Sequence, residues 1–103
     1  MSRLETLLGY LSSSPNDPFL LYAVAHEHVQ QGDDGAARPY FERLLAEHPD
    51  YLPSYFHYGK WYERQGDLAA ACRLYRTGIE KSGDDRHARA ELAAALLEID
   101  DEA

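Results

Sequence analysis

The segment QGDDGAA at Gln31–Ala37 returns 34 positions later as QGDLAAA at Gln65–Ala71. Around this match, large residues align with large ones and small residues with small ones: Tyr22 with Phe56, Ala25 with Gly59, Phe41 with Tyr75, and Leu45 with Ile79. Because a single shift aligns both the polar turn and the apolar positions that flank it, the sequence contains an internal repeat of 34 residues.

Each repeat is predicted to form two antiparallel helices around a tight turn. Asp17 can cap a helix that opens with Pro18, and the apolar residues that follow recur at helical spacing. Gly32 supplies the left-handed stop, after which either Asp33 or Asp34 can cap the second helix. The second repeat has the corresponding residues Pro53, Gly66, Asp67 and, after its last turn, Gly83.

Half-repeats are predicted on both sides of these hairpins. Ser2 and Glu5 fit a capping box for a short amphipathic helix that ends near Pro15. Either Asp84 or Asp85 can cap a final helix. The apolar positions of that final helix are Leu92, Ala93, Leu96, Leu97 and Ile99.

The sequence therefore predicts an all-α fold of about six helices and no strand in a single domain, 1–103. Its parts are an N-terminal half-repeat (1–15), repeat 1 (18–51), repeat 2 (52–85) and a C-terminal capping helix (86–99). Pro39 fits this pattern poorly. It lies about four residues into a predicted helix and removes a backbone hydrogen bond unless that helix starts late or its first turn is irregular.

Charge and composition exclude several classes of partner. The chain carries 10 basic and 18 acidic residues, a formal charge of −8, which argues against binding nucleic acid or an anionic membrane surface. No apolar run predicts a membrane span, and no signal region opens the chain. The single cysteine, Cys72, cannot form an intrachain disulfide, so we expect a cytoplasmic protein. The acidic excess suits a high-salt habitat or a GC-rich coding sequence, and both interpretations remain open.

This pattern resembles the tetratricopeptide repeat family, and in particular its small stand-alone bacterial members. The second repeat matches the family signature at Tyr55, Tyr58, Gly59, Tyr62, Gly66, Ala71 and Tyr75, and departs from it at Gly83, where Pro is expected. The first repeat matches at Leu21, Val24, Ala25, Gly32, Ala37, Phe41 and Pro49, and departs from it at His28, where Tyr is usual. The resemblance implies a right-handed superhelical stack of hairpins, an α-solenoid, whose first helices line a concave groove that binds proteins.

The family's groove positions, carried onto this sequence, give a predicted partner-binding groove of ten residues: Phe19, Tyr22, His26, Val29, Phe56, His57, Lys60, Glu63, His87 and Glu91. The family's carboxylate clamp would fall on Tyr22, His26, His57, His87 and Glu91, so none of its Lys, Asn or Arg residues is kept. We therefore reject acidic C-terminal peptides as ligands. Exposed aromatic side chains favour an apolar or aromatic partner segment, although Phe19 and Phe56 could instead pack internally.

Other chemistry is weakly indicated. His26, His57 and His87 recur near the repeat period, but helix axes about 8–10 Å apart keep the outer two from sharing an ion. His26 and His28 are two residues apart, not the four of a zinc-protease helix. We expect no metal, no cofactor and no catalysis, with Cys72 buried and inert.

The alternative to an interaction module is a structural or self-assembling scaffold. A short stack exposes its end helices, and a face of Leu92, Leu96 and Ile99 could dock on a second copy. The expected state is a monomer or a weak homodimer.

Overall fold

The computed structural model describes the backbone of residues 1–102 and the side chains of residues 1–99. Within that range it contains six helices and no strand, which confirms the predicted all-α fold. The helices are α1 (Arg3–Ser13), α2 (Pro18–Gln30), α3 (Asp34–Glu47), α4 (Pro53–Arg64), α5 (Leu68–Lys81) and α6 (Arg86–Glu102). The last helix runs past its predicted end at residue 99 to Glu102.

The chain divides into two compact units. The first unit, Met1–Tyr51, contains α1, α2 and α3, with α2 packed against both of the others. The second unit begins at Leu52 and contains α4, α5 and α6, which all contact one another. The finer division of these units into a half-repeat, two full repeats and a cap remains a prediction.

The helix starts follow the predicted capping chemistry. Ser2 Oγ accepts from the Glu5 N–H at 3.1 Å, and the Glu5 carboxylate accepts from the Ser2 N–H at 3.4 Å, which completes the capping box. Asp17 Oδ1 accepts from the Phe19 N–H at 2.9 Å. The sequence left two aspartates as possible caps at the start of α3 and two at the start of α6. In the structure Asp33 caps α3 and Asp85 caps α6. Each accepts a backbone N–H three residues later and so satisfies one of the helix's unpaired donors.

The two hairpin turns are closed by glycines in the left-handed region. Gly32 has φ of 78° and Gly66 has φ of 83°, which side chains rarely allow. After each glycine the next N–H reaches back across the helix end: Asp33 donates to the His28 carbonyl at 2.8 Å, and Asp67 donates to the Tyr62 carbonyl at 3.0 Å. These hydrogen bonds satisfy carbonyl groups at the end of the first helix of each hairpin. The turn then leads the chain into the antiparallel second helix.

Pro39 lies inside α3, because that helix begins at Asp34 and does not start late. The proline is exposed and sits in the second helical turn. Without an N–H it cannot donate to the Gly35 carbonyl, so α3 tolerates a gap in its hydrogen-bond ladder on the solvent side.

Two buried glycines bring the helices of the second unit together. A Cβ at Gly59 would lie 2.7 Å from Tyr75 Cζ, and a Cβ at Gly78 would lie 2.8 Å from Tyr55 Cβ and 2.7 Å from Leu92 Cδ1. All three distances are shorter than a real Cβ accepts, so α4, α5 and α6 pack closely only because these positions are glycine.

The apolar face of α6 predicted to dock on a second copy is occupied within the chain. Leu92 and Ile99 are 1% and 3% exposed to solvent, and Leu96 is partly buried. That part of the scaffold hypothesis is wrong, because the face packs inside the second unit. Leu97, predicted to share the apolar stripe, is instead 63% exposed.

Ser54→Ala is expected to raise the free energy of unfolding by about 1 kcal/mol, because it removes a hydroxyl that is buried without a hydrogen bond. Ser54 is 0% exposed, and its Oγ has no hydrogen-bond partner among the residues that the structure describes. Urea denaturation followed by circular dichroism measures the change.

Ser82→Ala is the matched control. Ser82 is also buried, but its Oγ donates to the Ile79 carbonyl at 2.7 Å, so its loss should lower stability by about 0.5–1.5 kcal/mol. Changes of the same sign in both variants would contradict this assignment of the two hydroxyls.

Candidate functional site

An aromatic face lies in the first unit, formed by Phe19, Tyr22, His26 and Tyr51. The three residues from α2 are three and four positions apart, so they share one side of the helix. The Tyr22 ring lies 6.4 Å from Phe19 and 5.8 Å from His26, on which it stacks. Phe19 is 60% exposed, so the suggestion that this ring packs internally is not supported.

Tyr51 belongs to the aromatic face but was absent from the predicted groove. It follows α3, and its ring lies 6.4 Å from that of Tyr22. The repeat itself carried the signal: Tyr51 stands 34 positions after Asp17 and 34 before Asp85, both of which cap helices. Among the described residues, no side chain caps the start of α4. Tyr51, which occupies the repeat position of the two capping aspartates, is part of the aromatic face instead.

Burial raises the pKa of Tyr51 above its ordinary value, with smaller contributions from neighbouring Tyr22 and from the Asp17 carboxylate. The phenol therefore stays protonated and neutral at physiological pH.

An open pocket of about 370 Å³ adjoins the aromatic face. Pro18, Asp50 and Tyr51 are among the residues that line it. The remaining lining residues are Glu47, His48 and Pro49.

Residues near the C-terminal end of α2 are partly buried and contribute to packing. Val29, a predicted groove residue, is partly buried. His28 stacks on Tyr40 of α3 with ring centroids 5.7 Å apart. His28 therefore supplies a ring contact between α2 and α3 at the position where the family usually has Tyr.

In the second unit, Phe56, Lys60 and Glu63 of α4 form a connected cluster. Lys60 Nζ lies 5.5 Å from the centre of the Phe56 ring, within range of a cation–π contact. The same ammonium lies 3.5 Å from Glu63 and 3.5 Å from Glu98 of α6. Lys60 and Glu63 are both predicted groove residues, whereas Glu98, the second carboxylate beside the ammonium, was not among them.

Tyr75 of α5 joins this cluster by donating its hydroxyl to Glu63. Burial raises the pKa of Tyr75 far above its ordinary value, and the hydrogen bond to Glu63 and the nearby negative charges raise it further. The phenol thus remains a hydrogen-bond donor throughout the physiological range. Together with Lys60 it links α4 to both α5 and α6.

Three other predicted groove residues lie in the second unit: His57, His87 and Glu91. His57 meets Phe56 edge-on at 5.2 Å. His87 and Glu91 are exposed on α6. The structure therefore brings the α2 residues together in one unit and the α4 residues together in the other.

Among the residues that the structure describes, no group of three His, Cys, Asp or Glu side chains is placed to hold a metal ion. Cys72 is only partly buried, whereas the sequence predicted a buried thiol. No helix in the described part of the chain is both long and apolar enough to cross a membrane.

Paired helices, glycine turns and a 34-residue period define the chain as a helical-repeat protein. Comparison with known proteins supports this class. Two tetratricopeptide repeat family models match, at residues 18–61 and 54–81. No curated protein matches the sequence.

Three solved structures are similar to this chain. The crystal structure of a tetratricopeptide repeat domain protein from Salinibacter ruber is 36% identical and has a TM-score of 0.77, with 82% of this chain and 96% of that chain covered. A solution NMR structure of such a domain from the same organism is 37% identical, with 82% and 88% covered and a TM-score of 0.78. A protein from Bordetella parapertussis shares the fold at 22% identity, with 99% and 90% covered and a TM-score of 0.83.

The chain belongs to the tetratricopeptide repeat family. Proteins of this family generally act as modules for protein–protein interaction.

Proposed function

We propose that this chain is a protein-interaction module that holds a segment of a partner protein against the predicted groove residues, with the aromatic face as its main contact. The observation that carries the proposal is the exposure of Phe19. Its ring is 60% exposed although it stands beside Tyr22 on a well-packed helix. Aromatic rings lose little conformational entropy on binding and bury a large area, so they dominate the energetics of interfaces.

The second unit would add a smaller contact surface. Phe56 is partly buried and carries Lys60 over its ring, so it offers an apolar surface whose charged neighbour is already neutralised. A partner segment at this point would gain apolar contact more than a charge pair. This arrangement supports the preference for an apolar or aromatic segment.

The remaining parts of the proposal follow from composition. A formal charge of −8 disfavours nucleic acid, and nothing in the described clusters pairs a nucleophile with a base. A non-enzymatic role without a cofactor is therefore proposed together with the binding function, and the single cysteine, Cys72, favours a cytoplasmic location.

Phe19→Ala combined with Tyr22→Ala is expected to weaken binding of partner segments by tenfold or more. Truncating central aromatic residues of an interface typically costs 2 kcal/mol or more, about a thirtyfold change in affinity. Capture of proteins from a native lysate, followed by calorimetric titration with the captured partner, measures the loss.

Tyr10→Ala is the matched control, because Tyr10 of α1 has the same 60% exposure and lies outside the aromatic face. It should leave the affinity unchanged. Equal capture by wild type and by the Phe19→Ala, Tyr22→Ala variant would overturn the proposed site.

A self-assembling scaffold is the second candidate, and one observation favours it. Leu97 of α6 is 63% exposed, which leaves an apolar side chain on an end helix. A molecular mass that rises with concentration and returns to that of a monomer in Leu97→Ala would support this candidate over a monomeric module.

A further inference from the structure

We propose that the aromatic face and its adjoining pocket bind an arginine side chain of the partner, so that the partner segment is cationic as well as apolar. This inference rests on the proposed function and specifies its partner. It is carried by the distribution of charge around the aromatic face of the first unit.

The first unit is strongly acidic. Residues 1–51 contain eight Asp and Glu against three arginines, a formal charge of −5. Each arginine lies close to a glutamate of its own unit: Arg3 to Glu27 at 3.1 Å, Arg38 to Glu42 at 4.0 Å, and Arg43 to Glu47 at 3.1 Å. The three arginines of this unit thus lie beside glutamates, and the unit as a whole keeps a net negative charge that attracts cations.

Two aspartates border the aromatic rings. Asp17 lies at the start of α2, where its carboxylate accepts the Phe19 N–H, and its charge also acts on Tyr51. Asp50 lines the pocket together with Pro18 and Tyr51. Negative charge therefore stands at the same end of α2 as the exposed Phe19 ring.

Arginine suits this combination better than any other side chain. Its planar guanidinium can stack on an aromatic ring while its N–H groups donate to a carboxylate, whereas a lysine ammonium acts as a compact point charge. The pocket volume of about 370 Å³ admits one long side chain. A segment bearing carboxylates would instead be repelled by this surface.

Selection of peptides on the chain of residues 1–103 tests the inference. The probe is a display library of random 12-residue peptides, selected in parallel on wild type and on the Phe19→Ala, Tyr22→Ala variant. We expect peptides selected only by wild type to be enriched in arginine beside apolar residues. Replacing each arginine of such a peptide by citrulline, which keeps the shape and removes the charge, should weaken binding at least tenfold.

Asp17→Asn combined with Asp50→Asn tests the protein side of the same contact. Asparagine caps helices about as well as aspartate, so α2 should stay folded while both charges are lost. Affinity for the selected peptide is expected to fall five- to thirtyfold, together with a weaker dependence on salt. Asp33→Asn is the matched control: it changes a cap at the opposite end of α2, about 20 Å away, and should leave affinity unchanged.

The outcomes separate this inference from the proposed function. Neutral or acidic peptides that still require Phe19 and Tyr22 would overturn the arginine contact and leave the interaction module intact. A selection that yields no peptide dependent on these two residues would overturn both. A dimer of the wild-type chain that the Phe19→Ala, Tyr22→Ala variant fails to form would identify a second copy as the occupant and would also overturn the inference.

Discussion

Gly59→Ala is expected to lower the free energy of unfolding by about 2 kcal/mol, although alanine is the better helix former. The added Cβ would lie 2.7 Å from Tyr75 Cζ and 2.8 Å from Tyr75 Cδ1. Tyr75 cannot easily move aside, because its ring is 0% exposed and its hydroxyl is bound to Glu63. The helices α4 and α5 must separate instead, which disrupts the packing around them.

Urea denaturation followed by circular dichroism measures this loss, and Gly9→Ala is its matched control. Gly9 also lies within a helix, but a Cβ there would meet no atom within 4 Å. That variant should gain up to about 1 kcal/mol from helix propensity alone. A Gly59→Ala protein as stable as wild type would show that the hairpin relaxes without cost, contrary to this account.

Pro39→Ala is expected to raise the free energy of unfolding by about 2 kcal/mol. Proline inside a helix costs about 3 kcal/mol, and its stiffening of the unfolded chain returns about 0.4–1 kcal/mol of that. Pro39 is exposed in the second turn of α3, so alanine restores the hydrogen bond to Gly35 without removing a buried contact. The shift of the urea midpoint measures the gain.

Pro53→Ala serves as the control for Pro39→Ala. Pro53 is the first residue of α4, where the N–H has no partner within the helix, so its replacement should leave stability unchanged or slightly lower. A gain of the same size in both variants would mean that the hydrogen-bond gap in α3 is not the cause.

The sequence predicted the fold well where local chemistry decides it. Asp17 beside Pro18 and the glycines at the turns act through the few residues around them, so their roles could be read directly. The choice between Asp33 and Asp34 could not be made, because it depends on where the backbone enters the helix after the glycine at position 32.

The candidate site was less predictable because it depends on contacts between elements. Periodicity placed Lys60 on a surface, but its pairing with Glu98 joins residues far apart in the sequence. Phe19 and Tyr58 both lie on helices with apolar residues on most sides, yet Phe19 is exposed and Tyr58 is buried. Such differences follow from which neighbour covers each face, and hydrophobic spacing does not contain that information.

Trp61, the one tryptophan of the sequence, gives the second unit its own optical signal. Its ring lies 5.5 Å from Tyr58 and 5.0 Å from Tyr62, close enough for light absorbed by both tyrosines to be emitted by the indole. Tryptophan fluorescence therefore reports the loss of structure around α4, whereas far-ultraviolet ellipticity reports the helices of both units. Coincidence of the two denaturation curves would show that the units unfold as one cooperative body, and separate midpoints would give each unit its own stability.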